Sequence, residues 1–203
     1  MVNTGDTLHA IAFRFHLDHK KLVRWNRIRN PDLIFVGQRL RLFAPQPSPR
    51  TTRAKSTAKA DSSQPKKISS PVKPKSDATT SGPVKWRWPT QGKAIKSKAA
   101  SGAQAIEIRG TKGQKVSAAS GGSVVYSGSG LRGYGELIII KHNETFLSAY
   151  AHNKTRLVEE GQRVKAGQKI AHMGDTESRD VMLHFEIRRN GETVDPLAYL
   201  PKR

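Results

Sequence analysis

His152 and His184 are the residues whose type and placement could do chemistry in this chain. In Met182-Leu183-His184-Phe185-Glu186-Ile187 the apolar Leu183, Phe185 and Ile187 share one face of an alternating strand. His184 therefore points the other way, together with Met182 and Glu186. In the strand that ends at His152, alternation puts Tyr150 on the same face as His152 and Leu147, Ala149 and Ala151 on the opposite one. If the two strands line one face, the two imidazoles converge above the sheet, where such groups hold a metal or move a proton. His142 and His172 lie in other strands. The chain has no cysteine, which excludes a thiolate metal site, a cysteine nucleophile, a disulfide scaffold and a lipidated N-terminal cysteine within it.

The elements that must position these histidines are short strands separated by glycine turns. Gly122–Ser127, Glu136–Lys141, Phe146–His152, Gln168–Met173 and Met182–Arg188 read as strands, punctuated by Gly121, Gly128, Gly130, Gly133, Gly135, Gly161, Gly167, Gly174 and Gly191. Such spacing predicts an antiparallel sheet folded into a sandwich or open barrel. The N-terminal region reads differently. Asp6 stands where a helix N-cap belongs, followed by Leu8, Ile11, Ala12 and Phe15 at helical spacing. A second helix begins near Asp18 and buries Leu22, Val23 and Trp25. Asn30-Pro31-Asp32 is turn chemistry, and Leu40 and Leu42 alternate in a closing strand. Strand, helix, helix, strand within residues 1–43 is a small α+β unit.

Between the two, residues 44–84 are Pro, Ser, Thr, Ala and Lys/Arg, with Ile68, Val72 and Val84 as the larger aliphatics. Such a stretch cannot bury enough apolar surface to offset the entropy of ordering it, so it reads as a flexible, disordered linker. The expected fold is thus an α+β module (1–43), a basic linker (44–84) and a mainly antiparallel β domain (85–203). The formal charge is +20, from 36 Lys and Arg against 16 Asp and Glu. It is spread over all three parts: eight basic and three acidic residues in 1–43, eight and two in 44–84, twenty and eleven in 85–203. With 6% aromatic residues and no reading-head motif, this charge fits an acidic surface better than specific nucleic-acid recognition. No apolar run approaches the roughly 20 residues that a membrane span needs.

The N-terminal residues Val2-x-x-Gly5-Asp6-Thr7-Leu8, Asn26 and Ile34-x-Val36-Gly37-Gln38-x-Leu40 resemble a LysM domain, a peptidoglycan- and chitin-binding module. The resemblance implies a groove for N-acetylglucosamine-containing glycan between the Gly5–Leu8 loop and the Asn30–Gly37 loop. Gly5, Asp6, Thr7, Leu8, Asn30, Ile34 and Gly37 would line it. The family's first strand starts several residues before Val2, so the resemblance also leads us to expect a longer natural product with a signal segment.

The second region resembles the lysostaphin/LytM-type zinc endopeptidase fold. The residues that carry this are Gly113-Gln114-x-Val116, Gly122-x-Val124-Val125-Tyr126, Leu131-Arg132-Gly133-Tyr134-Gly135, Tyr150-Ala151-His152, Val164-Lys165-Ala166-Gly167-Gln168 and Leu183-His184-Phe185-Glu186. Active members of that family carry His-x-x-x-Asp as two zinc ligands, where this chain has Ala103-x-x-x-Glu107. Their His-x-His supplies a catalytic histidine and a third ligand. Here Met182-Leu183-His184 keeps the ligand position, while the other catalytic histidine corresponds to His152. One imidazole and one carboxylate cannot hold a zinc that needs three protein ligands and an open water position. Met182 cannot act as a general base. The resemblance therefore implies no catalytic residues, no metal and no cofactor.

A LysM module, a basic linker and a degenerate LytM-type domain together resemble the NlpD-type murein hydrolase activators. The closing Asp195-Pro196-Leu197-x-Tyr199-Leu200-Pro201 belongs to the same likeness. The resemblance implies a non-enzymatic role: peptidoglycan held through LysM, and a periplasmic N-acetylmuramoyl-L-alanine amidase bound and activated by the vacated cleft during daughter-cell separation. Glu107, Arg132, Tyr134, Tyr150, His152, Met182 and His184 would wall that cleft. The basic stretch 93–100, just before the lost ligand position, is a candidate to cover it. The expected location is the periplasm, with association to the outer membrane. Two alternatives stay open: a passive peptidoglycan-binding protein and an active zinc murein endopeptidase.

Overall fold

The computed structural model describes residues 1–31, 33–45, 83–98 and 104–202. Most of the expected linker and Ala103 lie outside the described residues. Among them, no helix is long and apolar enough to cross a membrane.

Helix α1 (Leu8–Arg14) is capped by Thr7, whose hydroxyl accepts the Ala10 N–H at 3.0 Å. The cap thus falls one residue beyond Asp6, whose carboxylate instead accepts the Asn3 N–H. Helix α2 (His19–Asn26) starts at the expected Asp18, which accepts the Lys20 N–H at 2.7 Å. Leu8, Ile11, Ala12 and Leu22 pack with Val2 into the module's own core. Phe15 does not join them: α1 ends at Arg14, so Phe15 turns out of the helical stripe and is exposed. Trp25 is half-buried rather than buried. The segments flanking the helices meet through two hydrogen bonds, Val2 N–H to the Gln38 carbonyl and Gly37 N–H to the Val2 carbonyl. That bridge is too short for the paired strands expected of this module.

The rest is antiparallel sheet. Its strands are β1 (Ala94–Lys98), β2 (Gln104–Arg109), β3 (Lys115–Ser117), β4 (Gly122–Gly128), β5 (Glu136–Lys141), β6 (Phe146–Arg156), β7 (Arg163–Val164), β8 (Lys169–Met173), β9 (Met182–Arg189) and β10 (Glu192–Val194). The main order is β1-β2-β9-β6-β5-β4-β7, with β10 on β9 and β8 joining β3 to β6. Period-two alternation divides the burial. Ile106, Ile108, Ile138, Ile140, Leu183, Phe185 and Ile187 fill the larger core on one face. Leu137, Ile139, Ala149 and Ala151 face the other side with Tyr126, Leu131 and Tyr134. Tyr126 reaches that side because a register shift between Val124 and Tyr126 breaks the alternation of β4.

The second face is closed by helix α1. Ala10 and Phe13, on the side of α1 away from Leu8 and Ile11, belong to the same buried cluster as Tyr134 and Ile139. Both sides of this short helix are therefore apolar and buried, which explains why five of its seven residues are buried.

Candidate functional site

Strand β9 carries Met182, His184, Glu186 and Arg188 on the face opposite the larger core, as its alternation requires. Glu186 is the hub. It is fully buried, and it accepts hydrogen bonds from the Tyr134 hydroxyl at 3.0 Å and from Arg188 Nε at 2.9 Å. His184 Nε2 lies 3.1 Å from Glu186 Oε1. Burial pushes the Glu186 carboxyl upward, but the His184 hydrogen bond and the Arg188 charge outweigh it and hold the group below its ordinary range. The residues here are thus an ionised carboxylate with every oxygen partnered, sealed under the Tyr134 ring.

His152 reaches this site by an irregular route. Register pairs Tyr150 with Phe185 and Ala151 with His184, so strict alternation would send His152 to the Phe185 side. Its φ of 61° breaks the alternation, and its ring stands 5.8 Å from that of His184. Its Nδ1 faces the Thr176 carbonyl at 2.8 Å. Burial lowers its pKa, so the imidazole is held toward the neutral form. Tyr150 is the correction to the expected cleft wall. It lies in the larger core, fully buried, with its hydroxyl accepting the Ala119 N–H at 2.8 Å and bonded to Ser148. The bulge that delivers His152 to the site is what separates it from Tyr150.

Glu107 faces His184 across the β2–β9 register, and its carboxylate accepts the Ser97 hydroxyl of β1. Residues 94–98 of the stretch expected to cover the cleft are thus an edge strand paired to β2. Met182 is half-buried and Arg132 exposed at the outer end. Among the described residues, no three His, Cys, Asp or Glu side chains come together as a metal would require. His184 and Glu107 are the two donors the described residues offer at the ligand positions, and zinc needs three. Ala103 lies outside the described residues.

In the N-terminal module Gly5, Asn30 and Gly37 are exposed, Asp6, Thr7 and Ile34 half-buried, and Leu8 buried in the module core. Leu8 therefore shapes the loop from beneath. Within the Asn30–Gly37 loop Leu33, Phe35 and Val36 are exposed at 60%, 70% and 68%, and the sequence pattern did not single them out as contacts. Their signal was a run of apolar residues in a turn region without helical or strand periodicity. The pairing of Glu186 with Arg188 was missed as well; the clue was acid and base at alternate positions on the His184 face of a strand whose opposite face carries Leu183, Phe185 and Ile187.

Comparison with known proteins agrees with this architecture. Residues 1–43 match the LysM domain model and residues 101–196 the model of peptidase family M23. The chain is 48% identical, over its whole length and 77% of the relative's, to a lipoprotein NlpD/LppB homolog of Pseudomonas aeruginosa. Over 127 residues, 61% of this chain and 34% of the relative, it is 59% identical to the murein hydrolase activator NlpD of Escherichia coli. Among solved structures, a putative M23 peptidase from Pseudomonas aeruginosa superposes with a TM-score of 0.51 at 22% identity, covering 57% of this chain and 49% of that one. That likeness shows the fold.

Proposed function

The chain belongs to the NlpD/LppB family, which joins LysM to an M23-type domain, and from this we propose that it is a non-enzymatic murein hydrolase activator of the cell envelope. The observation that supports the reading is the hydrogen bonding of His184. His184, at the one retained ligand position, turns Nε2 onto Glu186 in a network completed by Tyr134 and Arg188. The network holds the His184 ring in place beneath the residues that would meet a partner.

In this reading LysM holds peptidoglycan through the Gly5–Thr7 and Asn30–Gly37 loops. The outer end of the cleft, with Glu107, Arg132 and Met182 around Tyr134, His152 and His184, receives a periplasmic N-acetylmuramoyl-L-alanine amidase. Activation is a population shift: the activator prefers the open amidase over its closed form by a few kcal/mol. The setting is septal murein splitting during daughter-cell separation, at the outer membrane, in keeping with the lipoprotein name of the Pseudomonas relative.

The test is dye release from labelled sacculi by this protein, by a periplasmic amidase, and by the mixture. Release from the mixture well above the sum of the two supports the proposal. Chelator-sensitive release by this protein alone would make the chain a zinc endopeptidase. Binding to sacculi with no gain from the mixture would leave a passive glycan-binding protein.

A further inference from the structure

The two loops assigned to glycan and the cleft assigned to a partner are physically joined. Thr7 donates its hydroxyl to the Val125 carbonyl of β4 at 3.3 Å, and Asp6 pairs with Arg14, which also reaches the Gly130 carbonyl at 3.4 Å. Both polar side chains of the Gly5–Leu8 loop are therefore committed to the contact with the sheet domain, one directly and one through Arg14. Six residues beyond Thr7, the Phe13 carbonyl accepts Arg188 Nη1 at 2.6 Å and the Phe13 ring packs edge-on to Tyr134. Arg188 is 1% exposed. The cleft network is thus closed at its inner end by LysM itself. At the far side Lys20 of α2 pairs with Glu144 at 3.0 Å. Gly191 lies against Leu17 and Asp18 so closely that a Cβ on it would sit 2.4 Å from the Leu17 carbonyl carbon.

We propose that the LysM module is a glycan-releasable cap on the M23-type domain. Docked, helix α1 covers the apolar face of β4–β6 and closes the Arg188 end of the cleft. A saccharide seated against Gly5–Thr7 needs the same Asp6 and Thr7 groups that hold the contact, so glycan capture and docking exclude each other. Release then exposes Tyr134 and the neighbouring sheet face to the partner where murein is present. This deepens the activator reading and rests on it for the partner, though not for the docking. Coupling between two sites on one chain is reciprocal and commonly amounts to about 5- to 150-fold.

Because the chain has no cysteine, Lys20→Cys with Glu144→Cys introduces the only two thiols, both at exposed positions. A short, reducible bis-maleimide should join them within one chain in high yield. Adding an N-acetylglucosamine oligomer should lower the rate of joining about tenfold. The joined protein should fail to activate an amidase on labelled sacculi, and reduction of the linker should restore it. Gly191→Asn, which keeps a residue tolerant of positive φ while intruding on Leu17, should cross-link slowly without glycan and activate more strongly than the parent. A joining rate indifferent to glycan, or full activation by the joined protein, overturns the cap. Failure of the unjoined protein to activate any amidase overturns the activator reading instead, and the joining rates still decide the docking.

Discussion

Arg188 donates through Nη1 to the Phe13 carbonyl at 2.6 Å while its guanidinium carbon stands 3.3 Å from the centre of the Phe13 ring. A residue of the N-terminal module thereby completes the shell of a buried cation whose counter-ion, Glu186, belongs to the peptidase-like cleft. Neither charge is exposed, so each depends on the other and on Phe13 for compensation. The sequence separation of 175 residues makes this a contact between modules rather than within one.

Removing one partner of that pair strands the other. Arg188→Met should cost about 3 kcal/mol of unfolding free energy, because Glu186 loses its cationic partner and keeps only Tyr134 and His184. Adding Glu186→Gln to it should recover part of the loss, since the amide is neutral and still accepts from Tyr134. Urea denaturation of the two variants checks both statements; equal midpoints for the single and double variants would refute them.

The two tyrosines near the site should behave oppositely. Tyr150→Phe leaves the buried Ala119 N–H without its partner and should cost about 1–3 kcal/mol of stability. Since Tyr150 faces the core, amidase activation by the folded variant should be unchanged. Tyr134→Ala should abolish activation while binding to sacculi persists. Measuring melting and dye release on both variants separates the core residue from the cleft residue.

Much of this was legible in the residues. The strand Glu136–Lys141, all but the last residue of Met182–Arg189 and the outward face of His184 follow from alternation and turn glycines, and the Asp18 cap of α2 from its residue type. What escaped is what depends on irregular backbone or on distant packing. His152 has φ of 61°, and no periodicity encodes such a residue, so Tyr150 was carried to the wrong face with it. Phe13 falls off the stripe of Leu8, Ile11 and Ala12, and its partner is a sheet face that is over 100 residues away in sequence. Local pattern names a helix face; it does not name a second one that another domain will cover.

Docking of LysM should weaken in acid. Burial, reinforced by the charges of His19 and Lys141 against that of Glu144, lowers the His9 pKa from 6.5 to about 3. Asp18 and Lys20 line the same small pocket. Between those values the undocked or unfolded chain binds more protons, so the contribution is complete above pH 6.5 and declines as pH falls toward 3. At pH 5.5 the docking constant should be smaller than at pH 7.5, by at most about tenfold, since His19 stays stacked on His9 within the module. His9→Phe keeps a flat ring against His19 and should flatten the profile. The joining rate of the Lys20→Cys/Glu144→Cys protein, divided at each pH by that of the same protein carrying His9→Phe so that thiol ionisation cancels, is the measure. Global denaturation is less specific, because burial also lowers His142 to about 4.

Zinc should leave the thermal midpoint of the parent chain where it is, since His184 and Glu107 do not make a three-ligand site. Restoring the family's ligand types by Ala103→His with Glu107→Asp should create a zinc-dependent rise of several degrees in the midpoint, as any ligand selective for the folded state must. Calorimetry with and without chelator reads this directly. A zinc response of the parent protein would mean that these residues bind metal as they stand.

The exposed apolar residues of the Asn30–Gly37 loop bear on wall binding. Leu33, Phe35 and Val36 stand out from a surface otherwise dominated by polar side chains, and the Phe35 N–H is fixed by the Gln38 side chain at 2.9 Å. A sugar ring offers apolar C–H faces to such residues, and their burial contributes about 25 cal/mol per Å². Because these side chains are largely exposed, Leu33→Ala with Phe35→Ala should change the unfolding free energy by no more than about 0.5 kcal/mol. Co-sedimentation with sacculi should nevertheless fall about tenfold, corresponding to the loss of roughly 1.4 kcal/mol. Undiminished sedimentation would move the glycan contact away from this loop, and with it the overlap between glycan and the Thr7–Val125 contact.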